Sequence, residues 1–404
     1  MGQRYLSLDV FRGATVAFMI LVNNPGTWSH IFDPLEHAQW HGLTPTDLVF
    51  PFFLFAVGNA MAFVIPRLRS EGDAAFWRKV ITRTLLIFAI GTFLNWFPFS
   101  HWVNGELVLR GWEWTRPDGS IGGIRVLGTL QRIALCYFSA SIIVYYFKPR
   151  AVIFISGFIL ITYWLICILA NPTDPFSFDG WFGKQIDLQI FGEAHVYRGD
   201  GVAFENEGIV STLPAIVQVL LGFLVGDFIR KRGNQTEATH EDHIPVRLYL
   251  TLTELFVAAA IVLFIGYIWS LVFPVNKKIQ SSSFILITAG LATTLLVVLV
   301  YFIEIKKIIG CWSRFFLVFG RNPLFIYALS ELLPRISNLI RISTGPTVDG
   351  RVNYVDPLDW FYQNICVHIP GPAEIGSLFY AVCIVLLYWT IGYWLDKKKI
   401  YIRV

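Results

Sequence analysis

The sequence predicts an all-α polytopic membrane protein with about ten transmembrane helices, and three observations lead to that class. Charged residues make up only 15% of the 404 positions while hydrophobic ones make up 55%, against roughly 25% charged in soluble domains. The apolar surplus, with a mean hydropathy of +0.57, falls in blocks of about 20 residues, the length a helix needs to cross hydrocarbon. Basic residues gather in alternate short connections between those blocks. Lipid offers the backbone no hydrogen-bond partner, so such blocks must be helical. An aromatic content of 16%, with 14 Trp and 35 Phe, suits interfacial belts and a large lipid-facing surface.

In chain order the blocks cover approximately 6–24, 47–66, 80–98, 124–147, 151–170, 212–230, 248–273, 282–301, 312–333 and 375–395. The first holds Asp9 and Arg12 and has no small-residue cleavage site, so it reads as a span rather than a removable signal. Loop charge gives the orientation. Arg67, Arg69, Arg78 and Lys79, then Lys148 and Arg150, then Arg230, Lys231 and Arg232, then Lys306 and Lys307 fall on one side with the tail Lys397, Lys398 and Lys399. That side is cytoplasmic by the positive-inside rule, and an even number of spans puts both termini there. The whole chain, 1–404, reads as one transmembrane domain. Its long extracytoplasmic loops, about 25–46, 99–123, 171–211 and 334–374, are rich in Trp, Gly, Asn, Asp and His, side chains suited to carbohydrate. The net charge of +4 is spread over loop clusters and implies no nucleic-acid partner. Five cysteines without a CxxC pair imply neither a disulfide framework nor a thiolate metal site.

Ionisable groups inside spans are costly and mark candidate sites. Asp9 and Arg12 share one helical face, as an internal ion pair or as an arginine held ready for an anion. The fourth block carries Arg125, Gln131 and Arg132, the two arginines seven apart on one side. A guanidinium at that depth needs a carboxylate or a phosphate. The ninth block contains Arg321-Asn322-Pro323, where a helix-breaking proline exposes backbone to a cavity rather than to lipid. Together these residues outline a cavity for a phosphorylated ligand entering from the cytoplasm.

The connection between the first two spans is the most informative stretch. It holds Asn23-Asn24-Pro25-Gly26 and His37, Trp40, His41, Gly42, Thr44 and Asp47. Thr44 or Thr46 suits a helix cap, with Asp47 in the first turn. His37 and His41 are four apart, but no HExxH pattern or third ligand accompanies them, so no metal is expected. A histidine beside a carboxylate suits general-base or nucleophilic work. An interfacial histidine that bonds only to loop backbone has the same sequence appearance, and chemistry alone does not choose.

The run Ser7-Leu-Asp9-Val-Phe-Arg12-Gly13, the Asn23-Asn24-Pro25-Gly26 loop and His37-x-x-Trp40-x-Gly42-Leu-Thr44-x-x-Asp47-Leu-x-Phe-Pro51 resemble the heparan-α-glucosaminide N-acetyltransferase family. So do Arg125-Val-Leu-Gly-x-Leu-Gln131-Arg132-Ile, Glu207-Gly208-x-x-Ser211-Thr212, Pro274-x-Asn276-Lys277-Lys278 and Phe319-Gly-x-Asn322-x-Leu. The resemblance spans nearly the whole chain. It implies a transmembrane acyltransferase that moves acetyl from cytosolic acetyl-CoA to a glucosamine-type amino sugar on the far side. It further implies His37 as the active histidine, with Asp47, Asn23 and Asn24 lining the acetyl-transfer site. The inward Arg12, Arg125, Gln131, Arg132, Arg321 and Asn322 are then expected on the CoA side, and Trp40, Glu207, Asn276 and Lys277 on the sugar. The lysosomal members carry an additional N-terminal luminal domain and one more span. This chain is therefore expected to be a ten-span homologue of the bacterial inner membrane, with a homodimer as the family's suggestion. A secondary transporter of amino sugars such as N-acetylglucosamine is the alternative, and a glycan-binding scaffold a more remote one.

Overall fold

The computed structural model describes residues 5–103, 106–116, 119–199, 201–234, 244–346 and 352–402. A helix forms at each predicted block. They are α1 (Leu6–Asn23), α2 (Val49–Glu71), α3 (Asp73–Trp96), α4 (Thr129–Tyr146) and α5 (Pro149–Ala170). A short α6 (Phe182–Phe191) lies in the connection to α7 (Ile209–Asn234). Then follow α8 (Ile244–Ser270), α9 (Ser282–Val300), α10 (Cys311–Arg321) and α11 (Pro323–Ser337). A short α12 (Pro357–Asn364) precedes α13 (Ala373–Lys397).

Among these, seven helices are long and apolar enough to cross a bilayer, and the α10–α11 pair, bent by 79°, makes an eighth if taken as one broken span. The protein is a polytopic helical membrane protein, with fewer clear crossings than the sequence count. The difference falls on α3 and α4, which carry Arg78, Lys79, Arg83, Gln131 and Arg132 and pack against one another. The break in the ninth block comes at Asn322, where Pro323 opens a new helix because its ring fixes φ and removes an N–H.

Two layers of helix can be told apart by burial. α1, α2, α7 and α9 are mostly buried, whereas α5 and α8 leave Phe154, Phe158, Leu169, Phe264 and Tyr267 exposed. In water those side chains would cost roughly 25 cal/mol per Å² of apolar surface, a penalty that lipid removes. The inner helices touch through glycine. A Cβ on Gly58 would lie 2.0 Å from the Val219 carbonyl, and one on Gly222 would lie 2.2 Å from that of Phe55, so α2 and α7 are in backbone contact. The same device joins α1 to α10, where a Cβ on Gly13 would meet the Phe316 carbonyl at 1.8 Å. Gly13 thus permits close approach of the two helices.

The long connections are structured. Residues 99–123 contain two antiparallel hairpins, β1 (Ser100–Val103) with β2 (Glu106–Leu109) and β3 (Glu113–Thr115) with β4 (Ile121–Gly123). A third pairs β5 (Ile342–Pro346) with β6 (Val352–Val355). By connectivity, the starts of α2, α4, α7 and α9 and the ends of α1 and α8 lie at one end of the bundle. Almost all the polar chemistry described below is at that end.

Candidate active site

Asp47 lies in a 3-10 turn, Pro45–Leu48, that leads into α2. Thr44 precedes the turn, and the Asp47 carboxylate accepts the Thr44 N–H at 3.1 Å, the reciprocal half of a capping box. Asp47 is 1% exposed, yet four donors converge on it. Oδ2 accepts the Ala38 N–H at 3.2 Å, the Thr44 N–H and the Thr44 hydroxyl at 3.1 Å. Oδ1 faces His37 Nδ1 at 2.7 Å. An ionised carboxylate only accepts, so Nδ1 carries a proton, and in the neutral ring the lone pair is then on Nε2. The loop therefore does more than cap a helix: it holds one nitrogen of a histidine whose side chain is 39% exposed.

A third group completes the cluster. Lys277, from the turn between α8 and α9, brings Nζ to 3.0 Å from His37 Nδ1 and 3.3 Å from Nε2. A point that close to both nitrogens of one ring lies off the ring plane rather than along either lone pair. Nζ is also 3.5 Å from Asp47 Oδ1. Burial pushes the Lys277 ammonium below the ordinary lysine range, and the nearby Asp47 and Glu207 carboxylates oppose that shift. The two loops are pinned together by the Gly42 N–H, which donates to the Val275 carbonyl at 2.9 Å.

The other predicted residues are distributed as follows. Trp40 donates its indole N–H to the Phe176 carbonyl at 2.8 Å and packs edge-on against Phe178 and Phe204, anchoring the His37 loop in an aromatic cluster. His41 is exposed, and no hydrogen bond joins it to Asp47. Asn24 donates to the Ile20 carbonyl of its own helix at 2.9 Å, and Asn23 is exposed; no hydrogen bond joins either to His37. Asn276 is fully buried and organises the Lys277 turn, its Oδ1 accepting the Ile279 N–H at 3.1 Å.

The arginines divide into two sets at different places. Arg125 lies before α4, not within it, and clasps Glu205 through Nε at 3.0 Å and through Nη2, which also binds Glu207. Arg132, 1% exposed, donates to the Gly208 carbonyl at 3.2 Å and to the Ser211 hydroxyl. Burial alone would raise the Glu207 carboxyl, but Arg125 and Arg132 outweigh it and hold it low. Gln131 is also buried here, against Gly91 and Gly128. These three residues, expected around phosphates on the cytoplasmic side, sit instead at the His37 end of the bundle, where carboxylates already meet Arg125. At the opposite end, Arg12 pairs with Asp9 at 3.6 Å and Arg321 with Asp396 at 2.6 Å. Asn322 binds the C-terminal tail, accepting the Ile402 N–H at 2.8 Å and donating to the Ile400 carbonyl at 3.0 Å.

Two carboxylates were not singled out from sequence. Glu205 receives Arg125, the Tyr197 N–H at 3.1 Å and the Glu207 N–H at 3.0 Å. Its position two residues before Glu207 was the available signal. Asp187, on α6, accepts the Ile209 N–H at 2.9 Å, and burial pushes its pKa up to about 6. Among the described residues no group of three or more His, Cys, Asp or Glu side chains is arranged to hold a metal ion.

With this geometry in view, the comparisons with known proteins decide the relationship. The heparan-alpha-glucosaminide N-acetyltransferase of Mus musculus is 24% identical over 381 residues, covering 82% of this chain and 54% of the relative. The Homo sapiens enzyme of that name is 25% identical over 381 residues, covering 81% and 53%. The chain is a distant relative of these N-acetyltransferases. That bears out the resemblance carried by the motifs. The chain spans about half the length of the curated relatives it matches. No family model matches it.

Proposed function

We propose that this protein is a transmembrane N-acetyltransferase that moves an acetyl group from acetyl-CoA to the amine of a glucosamine-type sugar. One observation supports it above the rest: a partly exposed His37 whose Nδ1 is held by a buried aspartate at 2.7 Å, in a chain related to N-acetyltransferases. A histidine so held presents a basic, nucleophilic Nε2 to the loop side. In this reading the chain crosses the membrane ten times with both termini cytoplasmic, and His37 faces the extracytoplasmic side of a bacterial inner membrane. The donor enters from the end that carries Arg12 and Arg321, and its thioester reaches His37 through the bundle. Asp47 fixes the tautomer and stabilises the imidazolium when it forms. Trp40 positions the loop, and Glu207 and Lys277 border the sugar's approach.

The test uses purified protein in detergent, acetyl-CoA labelled in the acetyl group, and glucosamine. Label is expected in N-acetylglucosamine with the natural protein and not with His37→Ala. Sugar accumulation in proteoliposomes without transfer of label to sugar or protein would make the protein a transporter instead.

A further inference from the structure

We propose that Lys277 is a catalytic residue of this site, its ammonium holding the oxygen on which negative charge builds when an acyl carbonyl is attacked beside His37. The inference rests on the acetyl-transfer reading and adds the group that stabilises the reaction's charge. Neither asparagine implied by the family resemblance is in place for that work: Asn24 is spent on Ile20 of its own helix and Asn23 is exposed, without a hydrogen bond to His37.

Lys277 Nζ is 3.3 Å from His37 Nε2. The oxygen of an acyl carbon at Nε2 lies two bonds from that nitrogen, and a rotation of the flexible lysine side chain brings the ammonium from over the ring to the roughly 2.7–3.1 Å that an oxyanion donor needs. The ammonium is not simply a counter-ion for Asp47. It lies 3.5 Å from Oδ1, whereas the imidazole is 2.7 Å from the same oxygen and 3.0 Å from Nζ. The turn that carries it is held firmly. The Lys277 carbonyl accepts the Gln280 N–H at 3.1 Å and Gln280 Nε2 at 2.9 Å, and the Asn276 N–H donates to the Ser281 hydroxyl at 3.0 Å. A partly desolvated cation already beside the imidazole needs only a short movement of its own side chain to meet that charge as it develops.

Both routes open to His37 pass through the same oxyanion. In direct transfer the amine lone pair forms the N–C bond, the carbonyl π pair moves to oxygen, and its return breaks the C–S bond. Nε2 takes the amine proton and gives it to the departing thiolate. In two-step transfer Nε2 itself bonds the carbonyl carbon and the thiolate leaves. The amine then displaces the imidazole from that carbon, and its proton passes through Nε2 to the thiolate. Lys277 donates to the same oxygen in every addition and stays protonated throughout.

The experiment compares natural protein, Lys277→Met, Lys277→Arg and His37→Ala in two assays: acetyl-CoA with glucosamine, and p-nitrophenyl acetate hydrolysis counted as the part lost in His37→Ala. Each variant is first checked for monodisperse elution and an unfolding temperature close to the natural protein's. Lys277→Met is expected to lower kcat about 10²–10³-fold with KM changed less than threefold, and the His37-dependent hydrolysis in step. Lys277→Arg, which keeps the charge, is expected to recover about tenfold. A kcat loss below fivefold, or a loss confined to KM, overturns the inference. Inactive His37→Ala beside active Lys277→Met overturns it while leaving the acetyl-transfer reading intact. Failure of transfer with His37-dependent hydrolysis that still falls in Lys277→Met overturns that reading alone; absence of both activities overturns both.

Discussion

Replacing Asp47 by Asn and by Ala should rank activity and stability in opposite orders. Three of the four donors on Asp47 reach Oδ2, and two of these are backbone N–H groups that cannot turn. In Asp47→Asn the amide oxygen must therefore take the Oδ2 place, which aims the amide N–H₂ at His37 Nδ1, 2.7 Å from the replaced oxygen. Two donors cannot share that contact. His37 must move its proton to Nε2, and the reacting lone pair is lost. An equivalent exchange in hydrolytic triads lowers kcat about 10⁴-fold. Asp47→Ala removes the orienting group but does not impose the wrong tautomer, so its loss should be nearer 10²–10³-fold.

Stability runs the other way. Asn keeps the acceptor at Oδ2 and forfeits mainly the charge assistance of those bonds, about 1–2 kcal/mol in total. Ala leaves the Ala38 and Thr44 donors without the carboxylate, at roughly 1–3 kcal/mol for each that stays buried. The assays are kcat for acetyl transfer to glucosamine and the unfolding temperature in detergent. Activity should fall as natural, Ala, Asn, and unfolding temperature as natural, Asn, Ala. If both properties follow one order, Asp47 acts on folding alone and the tautomer argument fails.

Asp187 predicts a pH dependence. Its folded pKa of about 6 lies above the ordinary range of an aspartate carboxyl. A raised acid binds more protons folded than unfolded, so stability falls as pH rises from about 4 to 6, and the full penalty, on the order of 3 kcal/mol, is present above that window. Asp187→Asn keeps an acceptor for Ile209 N–H and should gain unfolding temperature relative to the natural protein at pH 7 but not at pH 4; a constant difference would refute the burial argument. Arg125→Met leaves the buried Glu205 and Glu207 without their shared partner, a loss of roughly 3–5 kcal/mol. It should therefore reduce the yield of monodisperse protein, and restoration by the added change Glu205→Gln would identify the uncompensated charge as the cause.

The parts of this protein legible in its sequence are those a bilayer enforces. Hydrocarbon demands an internally bonded helix wherever some 20 apolar residues run together, so α1, α2, α5, α7, α8, α9 and α13 could be read directly. The bend at Asn322 was readable for a similar reason, because Pro323 cannot continue a ladder. α3 and α4 were harder, since charged and amide side chains pull their composition away from a lipid-exposed helix while their packing keeps them helical. His37 and Asp47 are ten apart and their pairing followed from local motif. Lys277, 240 positions from His37, was expected to contact sugar, and nothing local tells whether it meets a ligand or a ring. Glu205 was passed over because its partner Arg125 lies 80 positions away.

That distance explains the reassigned arginines. A guanidinium in an apolar block announces only that some anion must meet it. A phosphate and a carboxylate satisfy the requirement equally well, so periodicity cannot separate a ligand site from an internal pair. The helix arrangement supplies the missing reason for carboxylates here. Helices α2, α4, α7 and α9 are among those that begin at the His37 end, and each helix start carries partial positive charge and unsatisfied N–H groups. Asp47 answers this at α2 and Asp187 at α7, where it accepts the Ile209 N–H. Glu205 and Glu207 stand just ahead of α7 as well. Acidic groups gathered for that purpose are then buried together and need counter-ions, which Arg125, Arg132 and Lys277 provide. Arg125 and Arg132 are thereby committed to holding the loop frame. Lys277 alone of the three also touches the imidazole, which leaves it free of the loop-frame role that holds the two arginines.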